Sequence, residues 1–283
     1  MNKTEINITL IGAGNAATYI GIALKQAGYN ISQVYSRTRK SATKLAKLLN
    51  TEPITDLQKI SDKTDLFIIA VKDDVITELI RKINFGNALA VHTSGSTDMN
   101  VLKGYAKNYG VFYPLQTFSF SLTPNLLRRA QDKLSPKERG TRTLKNAPIC
   151  IEANNKKNRK ILEEIANVIS GNVICLNSKQ RQYVHLAAVF ACNFSNHLYS
   201  VAENILKEHK IPFNILLPLI EETANKTKTI SPGKAQTGPA KRGDKKIIQL
   251  HLKLLGKDKK LKEIYNLISS DIQYFDKLST GNS

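Results

Sequence analysis

The sequence has few cysteines, a deficit of acidic residues and no long hydrophobic run. Its 283 residues include three cysteines, Cys150, Cys175 and Cys192, which lie far apart, with no Cys-x-x-Cys pair and no histidine at metal-ligand spacing. A sparse, odd number of cysteines is typical of reduced thiols in a cytoplasmic protein. The composition therefore excludes a disulfide scaffold, and we predict no metal site.

Acidic residues number 23 against 42 Lys and Arg, which gives a formal net charge of +19. A basic surface attracts anions of any kind, including nucleic acid, membrane and phosphorylated small molecules. We do not expect nucleic acid as a partner, because the sequence has no recognised reading motif and its basic residues are not interleaved with aromatic ones. The charge alone does not identify the anion.

No segment has the pattern of a signal peptide or a membrane span. Residues 1–14 lack a basic stretch followed by a longer apolar run. Residues 182–202 carry no Asp, Glu, Lys or Arg, yet their His, Asn and Ser side chains are too polar for lipid. We therefore expect a buried helix here, in a soluble cytoplasmic protein that has no membrane contact.

Short apolar runs alternate with helix-like segments through the first half of the chain. The run 65–71 is typical of a strand that is buried on both faces of a parallel sheet. Strands that alternate with helices predict an α/β fold, here a doubly wound, mostly parallel sheet. From Ser178, the predicted N-cap of a long helix, the pattern becomes helical, and Asp244 and Asp258 are predicted to cap two later helices.

Two domains follow from this pattern. Residues 1–153 form the predicted nucleotide-binding domain, and residues 154–283 end the sheet and continue as an all-helical domain. The segment Leu126–Lys145, with seven Lys or Arg, interrupts the first domain. We expect it to form an exposed loop or a short surface helix, as an insertion over about 124–146.

Residues 12–17 (Gly-Ala-Gly-Asn-Ala-Ala) match the dinucleotide fingerprint G-x-G-x-x-G/A between a strand and a helix. Gly12 permits the tight turn, and Gly14 lets backbone amides approach a pyrophosphate. The helix N-terminus adds positive potential. We predict cofactor contacts at Gly12, Gly14, Asn15 and Ala16; the alternative is a glycine turn that binds no ligand.

The end of the second predicted strand carries Ser36, Arg37 and Thr38, with no acidic residue. A site for NAD usually offers Asp or Glu here to bind the ribose hydroxyls. Hydroxyl groups and a guanidinium suit the 2′-phosphate of NADP, which an acid would repel. We therefore predict NADP(H) over NAD(H); an exposed basic turn is the alternative.

Three further strand ends carry polar residues at the edge where ligands bind in doubly wound sheets. The predicted cofactor contacts there are Ala70, Val71, Lys72, Thr93 and Ser94. Gln116 is a predicted substrate contact. Lys72 could equally be a solvated residue at a helix start, and His92 either a structural histidine or a catalytic one.

The long predicted helix places His185, Asn193 and His197 at i, i+8 and i+12, which we interpret as one face. Such polar groups are satisfied either by structure or by a ligand. Because histidine titrates near neutral pH, His185 is the predicted general acid. Asn193 would orient the substrate and His197 would contact it; a polar helix–helix or dimer contact is the alternative.

The loop 236–244 offers Thr237 and Arg242 for an anionic substrate group. The alternative is a capping loop in which Arg242 forms a fixed pair with Asp244.

Several of these motifs together resemble NADP-dependent Rossmann reductases. They are the glycine turn, Ser36-Arg37-Thr38, residues 70–74 and residues 92–95. Similar families are the deazaflavin-dependent NADP reductases, the pyrroline-5-carboxylate reductases and the ketopantoate reductases. Residues 113–118, 185–191 and 236–244 (Gln-Thr-Gly-Pro-Ala-Lys-Arg-Gly-Asp) more specifically resemble a bacterial group that joins a Rossmann-like domain to a helical domain of unknown function.

This resemblance covers nearly the whole chain, with a departure at the basic segment 126–145. It implies NADP as cofactor and a homodimer built through the helical domain. The expected function is an NADP(H)-dependent oxidoreductase that acts on a small anionic carbonyl, imine or flavin-like substrate. The alternative is a sensor dimer that binds NADP(H) without turnover.

Overall fold

A computed structural model describes residues 5–118 and 144–280. Nearly all of the basic segment 126–145 lies between these ranges, so its predicted conformation falls outside the described residues. The chain divides into two compact units, one that ends at His197 and one that begins at Leu198.

The first unit is built on a sheet whose described strands run in the order β3-β2-β1-β4-β5-β6-β7-β8. The strands are β1 (Asn7–Ile11), β2 (Asn30–Tyr35), β3 (Glu52–Ile54), β4 (Leu66–Ile69), β5 (Leu89–His92), β6 (Asn108–Pro114), β7 (Ile149–Ala153) and β8 (Val173–Cys175). Strand β7 is antiparallel to β6, and the other neighbouring pairs are parallel. The predicted doubly wound, mostly parallel sheet is confirmed.

Helices cover both faces of this sheet. They are α1 (Asn15–Gln26), α2 (Arg39–Leu49), α3 (Asp73–Ile80) and α4 (Lys156–Ile169), with 3₁₀ turns at Leu57–Lys59 and Met99–Leu102. Successive residues of β1 enter opposite cores: Leu10 packs in a cluster with Ile20, and Ile11 in a cluster with Phe67. Because both faces are covered, every residue of β4 and β5 is buried.

Helix α5 (Ser178–Ala188) begins one residue earlier than a cap at Ser178 predicts. Asn177, not Ser178, is the N-cap, and it forms a capping box with Gln180. Ser178 is buried and donates its hydroxyl to Glu152 Oε2 over 2.7 Å. The prediction of Ser178 as the cap was therefore wrong, because the serine hydroxyl is hydrogen-bonded to Glu152 and not to the helix N-terminus.

A buried ion pair anchors α5 to the sheet. Arg181 is fully buried, and its Nη1 lies 2.6 Å from Glu152 Oε2. Its Nη2 donates to the carbonyl oxygen of Thr97, and Gln182 Nε2 donates to the carbonyl oxygen of Ser96 over 2.9 Å. A buried guanidinium requires such partners, since it has lost its hydration. The helix is thus tied to the loop that follows β5.

The second unit is helical, as predicted. Its helices are α6 (Ser195–Glu208), which crosses the unit boundary, α7 (Leu217–Lys226), α8 (Pro232–Ala235), α9 (Lys245–Leu254) and α10 (Lys259–Thr280), with a 3₁₀ turn at Phe213–Leu216. A π-helical segment, Val189–Phe194, joins α5 to α6. The predicted long helix is therefore continuous but not uniformly α-helical.

The two predicted aspartate caps have different outcomes. Asp258 accepts a hydrogen bond from the backbone N–H of Leu261 over 2.9 Å, so this cap is confirmed. Asp244 occupies the N-cap position of α9, but its side chain makes no capping hydrogen bond. The predicted cap position is therefore confirmed, but the carboxylate lies 3.9 Å from the guanidinium of Arg242 and does not bond the helix N-terminus.

Little of the second unit is buried within this chain. Burial is described for residues 198–275 of this unit, and among them Ala240 is the one buried residue. Residues 182–202, expected to form a buried helix, are largely exposed, with Phe190 at 63%. That expectation was wrong for the single chain, since no described element covers these side chains. In the described part of the chain, no helix is both long and apolar enough to cross a membrane.

Candidate functional site

The glycine turn lies where the strand order reverses. Gly12 follows β1 with φ of 118°, and its N–H donates to the carbonyl oxygen of Tyr35 over 2.8 Å. A Cβ on Gly12 would clash with the carbonyl oxygen of Ala70, at the end of the neighbouring strand β4. Both the backbone conformation and the close approach therefore require glycine. This switch point is where doubly wound sheets bind ligands.

The N-terminus of α1 can receive an anion. Gly14 is the N-cap, no side chain caps the helix, and no acidic residue lies in its first turn. A Cβ on Gly14 would meet no atom within 4 Å, so the space above the turn is open. Asn15 Nδ2 donates a hydrogen bond to the carbonyl oxygen of Phe118 over 2.9 Å. The backbone N–H groups of the first turn are therefore suited to a pyrophosphate.

A basic turn follows β2. Ser36 is half-buried and donates its N–H to Ile54, while Arg37 and Thr38 are exposed. Thr38 Oγ1 donates to Ser41 Oγ over 2.9 Å, and the Arg37 guanidinium has no partner among the described residues. Helix α2 begins directly afterwards with no acidic residue in its first turn. A phosphate would meet a guanidinium, hydroxyls and a helix N-terminus here.

The residues after β4 and β5 differ in how accessible their side chains are. Ala70 is buried, Val71 is half-buried, and Lys72 is exposed at the N-cap position of α3. Thr93 donates its N–H to Ile69 over 3.0 Å. Ser94 is buried, and its hydroxyl accepts the N–H groups of residues 96 and 97. Ser94 thus shapes the loop through its side chain.

His92 is buried at the end of β5. Its Nδ1 accepts the backbone N–H of Ser94 over 3.2 Å. Burial lowers the pKa of His92 to about 4, so the imidazole is neutral at pH 7. This environment favours the structural reading of His92 over the catalytic one.

His185, the predicted general acid, lies beside a tyrosine that we did not predict. Its Nδ1 is 3.1 Å from Tyr113 Oη, and the two rings meet edge to face with centroids 6.0 Å apart. Tyr113 stands next to last in β6, and both side chains are half-buried. Burial raises the pKa of Tyr113 to about 12, so the phenol keeps its proton at neutral pH.

A third residue, Gly95, makes this contact possible. A Cβ there would lie 2.7 Å from His185 Nδ1 and 2.8 Å from Tyr113 Cζ. Any larger side chain would therefore displace the pair. The only signal in the sequence was the position of Tyr113, directly before Pro114 at a strand end within the 113–118 motif.

Asn193 and His197 are not held together with His185. Both are exposed, and neither makes a hydrogen bond among the described residues. The prediction of one shared face assumed an unbroken α-helical period, which the π segment Val189–Phe194 interrupts. Gln116 is also exposed, and its Oε1 accepts the N–H of Thr117 over 2.9 Å.

The predicted substrate residues of the second unit lie in a different environment. Arg242 pairs with Asp244 at 3.9 Å and is 63% exposed, which matches the predicted alternative of a fixed pair. Thr237 lines a mainly apolar cavity of about 350 Å³ together with Leu198, Ile205, Leu261 and Ile268. Within residues 5–118 and 144–280, no group of three or more His, Cys, Asp or Glu could hold a metal ion.

Comparisons with known proteins cover both parts of the chain. Residues 7–93 match the family described as NADP oxidoreductase, coenzyme F420-dependent, and residues 147–272 match a domain of unknown function, DUF2520. A comparison with curated proteins gives no match.

Solved structures resemble the chain over nearly its full length. A crystal structure described as a "putative NADP oxidoreductase", BF3122 from Bacteroides fragilis, is 42% identical, with a TM-score of 0.84 over 95% of this chain and 99% of that one. Protein TM1727 from Thermotoga maritima is 22% identical (TM-score 0.64, covering 96% and 99%). An imine reductase from Myxococcus stipitatus in complex with NADP⁺ is 15% identical (TM-score 0.62, covering 98% and 95%).

The last two likenesses show the fold alone, whereas the identity to the Bacteroides fragilis protein shows the family. The chain therefore belongs to the NADP oxidoreductase family in which a Rossmann-like domain precedes a DUF2520 domain.

Proposed function

We propose that this protein is an NADP(H)-dependent oxidoreductase that acts on a small anionic carbonyl, imine or flavin-like substrate. The observation that carries the proposal is the turn at Gly12, which only glycine fits and which leads into an uncapped helix N-terminus at the switch point. Family membership supports the same cofactor class. When bound, the nicotinamide cofactor supplies two electrons and a hydrogen to an electrophilic atom of the substrate.

The residues that would hold the cofactor fit its charged groups. Backbone amides at Gly14, Asn15 and Ala16 would bind the pyrophosphate. Ser36, Arg37 and Thr38 would bind a 2′-phosphate, and the absence of an acid in this turn favours NADP over NAD. Further predicted contacts are Ala70, Val71, Lys72, Thr93 and Ser94.

Reduction of a carbonyl or imine also needs a proton, and His185 would supply it. Its ring is half-buried and held at one edge by Tyr113, so it has a fixed orientation. Asn193 would orient the substrate. His197, Gln116, Thr237 and Arg242 remain the predicted substrate contacts, with Arg242 as the group for a substrate anion.

The protein would act as a homodimer through its helical domain. The support is the apolar surface left exposed in the single chain, which includes Leu254 at 71% and Leu267 at 70%. Large exposed apolar patches on a domain indicate an interaction surface. A second copy of the chain would cover the same kind of surface on its partner, as a two-fold interface requires.

A fluorescence titration with NADPH and NADH tests the cofactor proposal. We expect NADPH to bind more tightly, and Arg37→Ala to weaken NADPH binding about tenfold or more while leaving NADH nearly unaffected, because one charge-assisted bond contributes about 1.5–3 kcal/mol. Lys63→Ala is the matched control: Lys63 is exposed and precedes β4, at the opposite end of the strand.

Binding of neither dinucleotide, or a preference for NADH, would overturn the cofactor proposal. Tight NADPH binding with no turnover of any carbonyl, imine or flavin would overturn the catalytic part and leave a cofactor-binding dimer.

A further inference from the structure

We propose that Tyr113 is a positioning residue for His185: its phenol oxygen accepts the Nδ1–H of the imidazole and leaves Nε2 as the atom that exchanges a proton with the substrate. This inference rests on the proposed function, because it assumes that His185 is the general acid.

The contact itself is specific. The 3.1 Å separation joins Tyr113 Oη to Nδ1 of His185, and Nε2 makes no hydrogen bond among the described residues. Gly95 closes the same edge of the ring, since its Cα approaches so near that a Cβ would lie 2.7 Å from Nδ1. The Nδ1 edge is thus occupied by protein, and Nε2 is the edge left for a reactant.

The anchoring of α5 fixes this arrangement from the helix side. Arg181 lies one turn before His185, so the two side chains emerge on the same face. Arg181 is bound to Glu152 and to the carbonyl oxygen of Thr97, in the same loop that carries Gly95. Helix and loop are therefore held to each other beside the Tyr113–His185 contact, which limits the freedom of the imidazole.

The direction of the hydrogen bond follows from the acid–base cycle. A histidine that alternates between imidazolium and imidazole at Nε2 carries a proton on Nδ1 in both states. Tyr113 can accept that Nδ1–H throughout, without rotation of either group. If the phenol instead donated to Nδ1, each protonation at Nδ1 would require the phenol to reorient.

Tyr113 is the positioning residue rather than the acid because it holds its proton too firmly. Burial keeps the pKa of its phenol near 12, so transfer of this proton to a substrate at neutral pH is unfavourable. Histidine is the side chain that most often serves as a general acid in enzymes. The two neighbouring groups therefore have separate roles.

When the substrate is reduced, the bound cofactor would supply the hydride, and the Nε2–H bond of protonated His185 would break. A new O–H or N–H bond forms on the substrate heteroatom. The product is a neutral imidazole whose Nδ1–H still points at Tyr113, and solvent returns a proton to Nε2.

The test is the tautomer of His185 in the full-length protein without cofactor. Two-bond ¹H–¹⁵N correlation spectra of histidine-labelled protein distinguish Nδ1–H from Nε2–H, and His185→Gln assigns the signals among the five histidines. We expect neutral His185 to be Nδ1–H in the wild type. In Tyr113→Phe the Nδ1 resonance should shift from the protonated toward the unprotonated range.

Tyr183→Phe is the matched control, because this exposed tyrosine lies on the same helix and its phenol makes no described hydrogen bond. It should keep the wild-type tautomer. A wild-type Nε2–H tautomer, or an unchanged spectrum in Tyr113→Phe, would overturn the proposal.

Kinetics then separate this inference from the proposed function. With any substrate that is turned over, Tyr113→Phe should lower kcat about tenfold and leave the KM for NADPH unchanged. A tenfold loss is a part of the roughly 10²–10⁴-fold rate increase that general acid catalysis contributes. An unchanged kcat would overturn the positioning role. If the wild type binds no NADPH, the proposed function fails, and the spectra still decide whether Tyr113 sets the tautomer.

Discussion

The two units of this chain differ most in what they bury. In the first unit, strands β4 and β5 are buried at every residue, and side chains such as Leu10 and Phe112 are almost completely enclosed. In the second unit, Ala240 is the one buried residue among the described side chains. A sheet covered on both faces completes its own core, whereas these amphipathic helices leave apolar side chains exposed in the single chain. The same contrast separates their ion pairs, since Arg181–Glu152 is buried and Arg242–Asp244 is exposed.

The largest effect is expected from breaking the buried ion pair. Glu152→Ala leaves the Arg181 guanidinium buried without its carboxylate and should lower the free energy of unfolding by about 3–5 kcal/mol. Asp244→Ala removes the exposed pair of the second unit and should cost at most about 1 kcal/mol. Urea unfolding of both variants measures the difference. Equal losses would contradict the assignment of one pair as structural and the other as peripheral.

A matched pair of leucines tests the contrast in burial directly. Leu10 is fully buried in the first unit, and Leu254 is 71% exposed in the second. Leu10→Ala should cost about 2–5 kcal/mol through lost burial and the cavity left behind. Leu254→Ala, measured at a protein concentration where the chain is monomeric, should change stability by less than about 0.5 kcal/mol. A large loss for Leu254 under those conditions would place it in a core of the single chain.

A smaller free-energy change is expected at the proposed homodimer surface. Leu267→Asp puts a charge on an apolar face that is 70% exposed in the single chain and should weaken association by about 2 kcal/mol, roughly 30-fold. Val168→Asp, at a 44% exposed position of α4 in the first unit, is the control and should leave association unchanged. Sedimentation equilibrium gives both constants. A wild-type monomer at all concentrations would contradict the dimer.

Local patterns were enough to predict much of the first unit. The alternation of strands and helices, the unbroken apolar run at 65–71 and the glycine turn at Gly12 each depend on residues near one another in sequence. The cap at Asp258 was predicted for the same reason, since a side chain there reaches an N–H three residues later. Such features follow from the period of the pattern and from the backbone that each residue permits.

The features that prediction missed join residues far apart. Tyr113 and His185 are 72 positions apart, and Arg181 and Glu152 are 29 apart. The cap at Ser178 was mispredicted because its hydroxyl donates to Glu152, which lies on strand β7. The predicted shared face of His185, Asn193 and His197 assumes an unbroken α-helical period, and a π segment interrupts that period.

The sequence by itself determined the layered sheet, the position of the glycine turn at Gly12 and the basic, acid-free character of the residues after β2. These features depend on residue type and local spacing. Only the tertiary structure decided which side chain stands beside His185, which arginine is buried and which apolar faces remain uncovered. Those outcomes depend on how separate segments pack in three dimensions, and packing assigns each polar group a partner that lies outside its own stretch of chain.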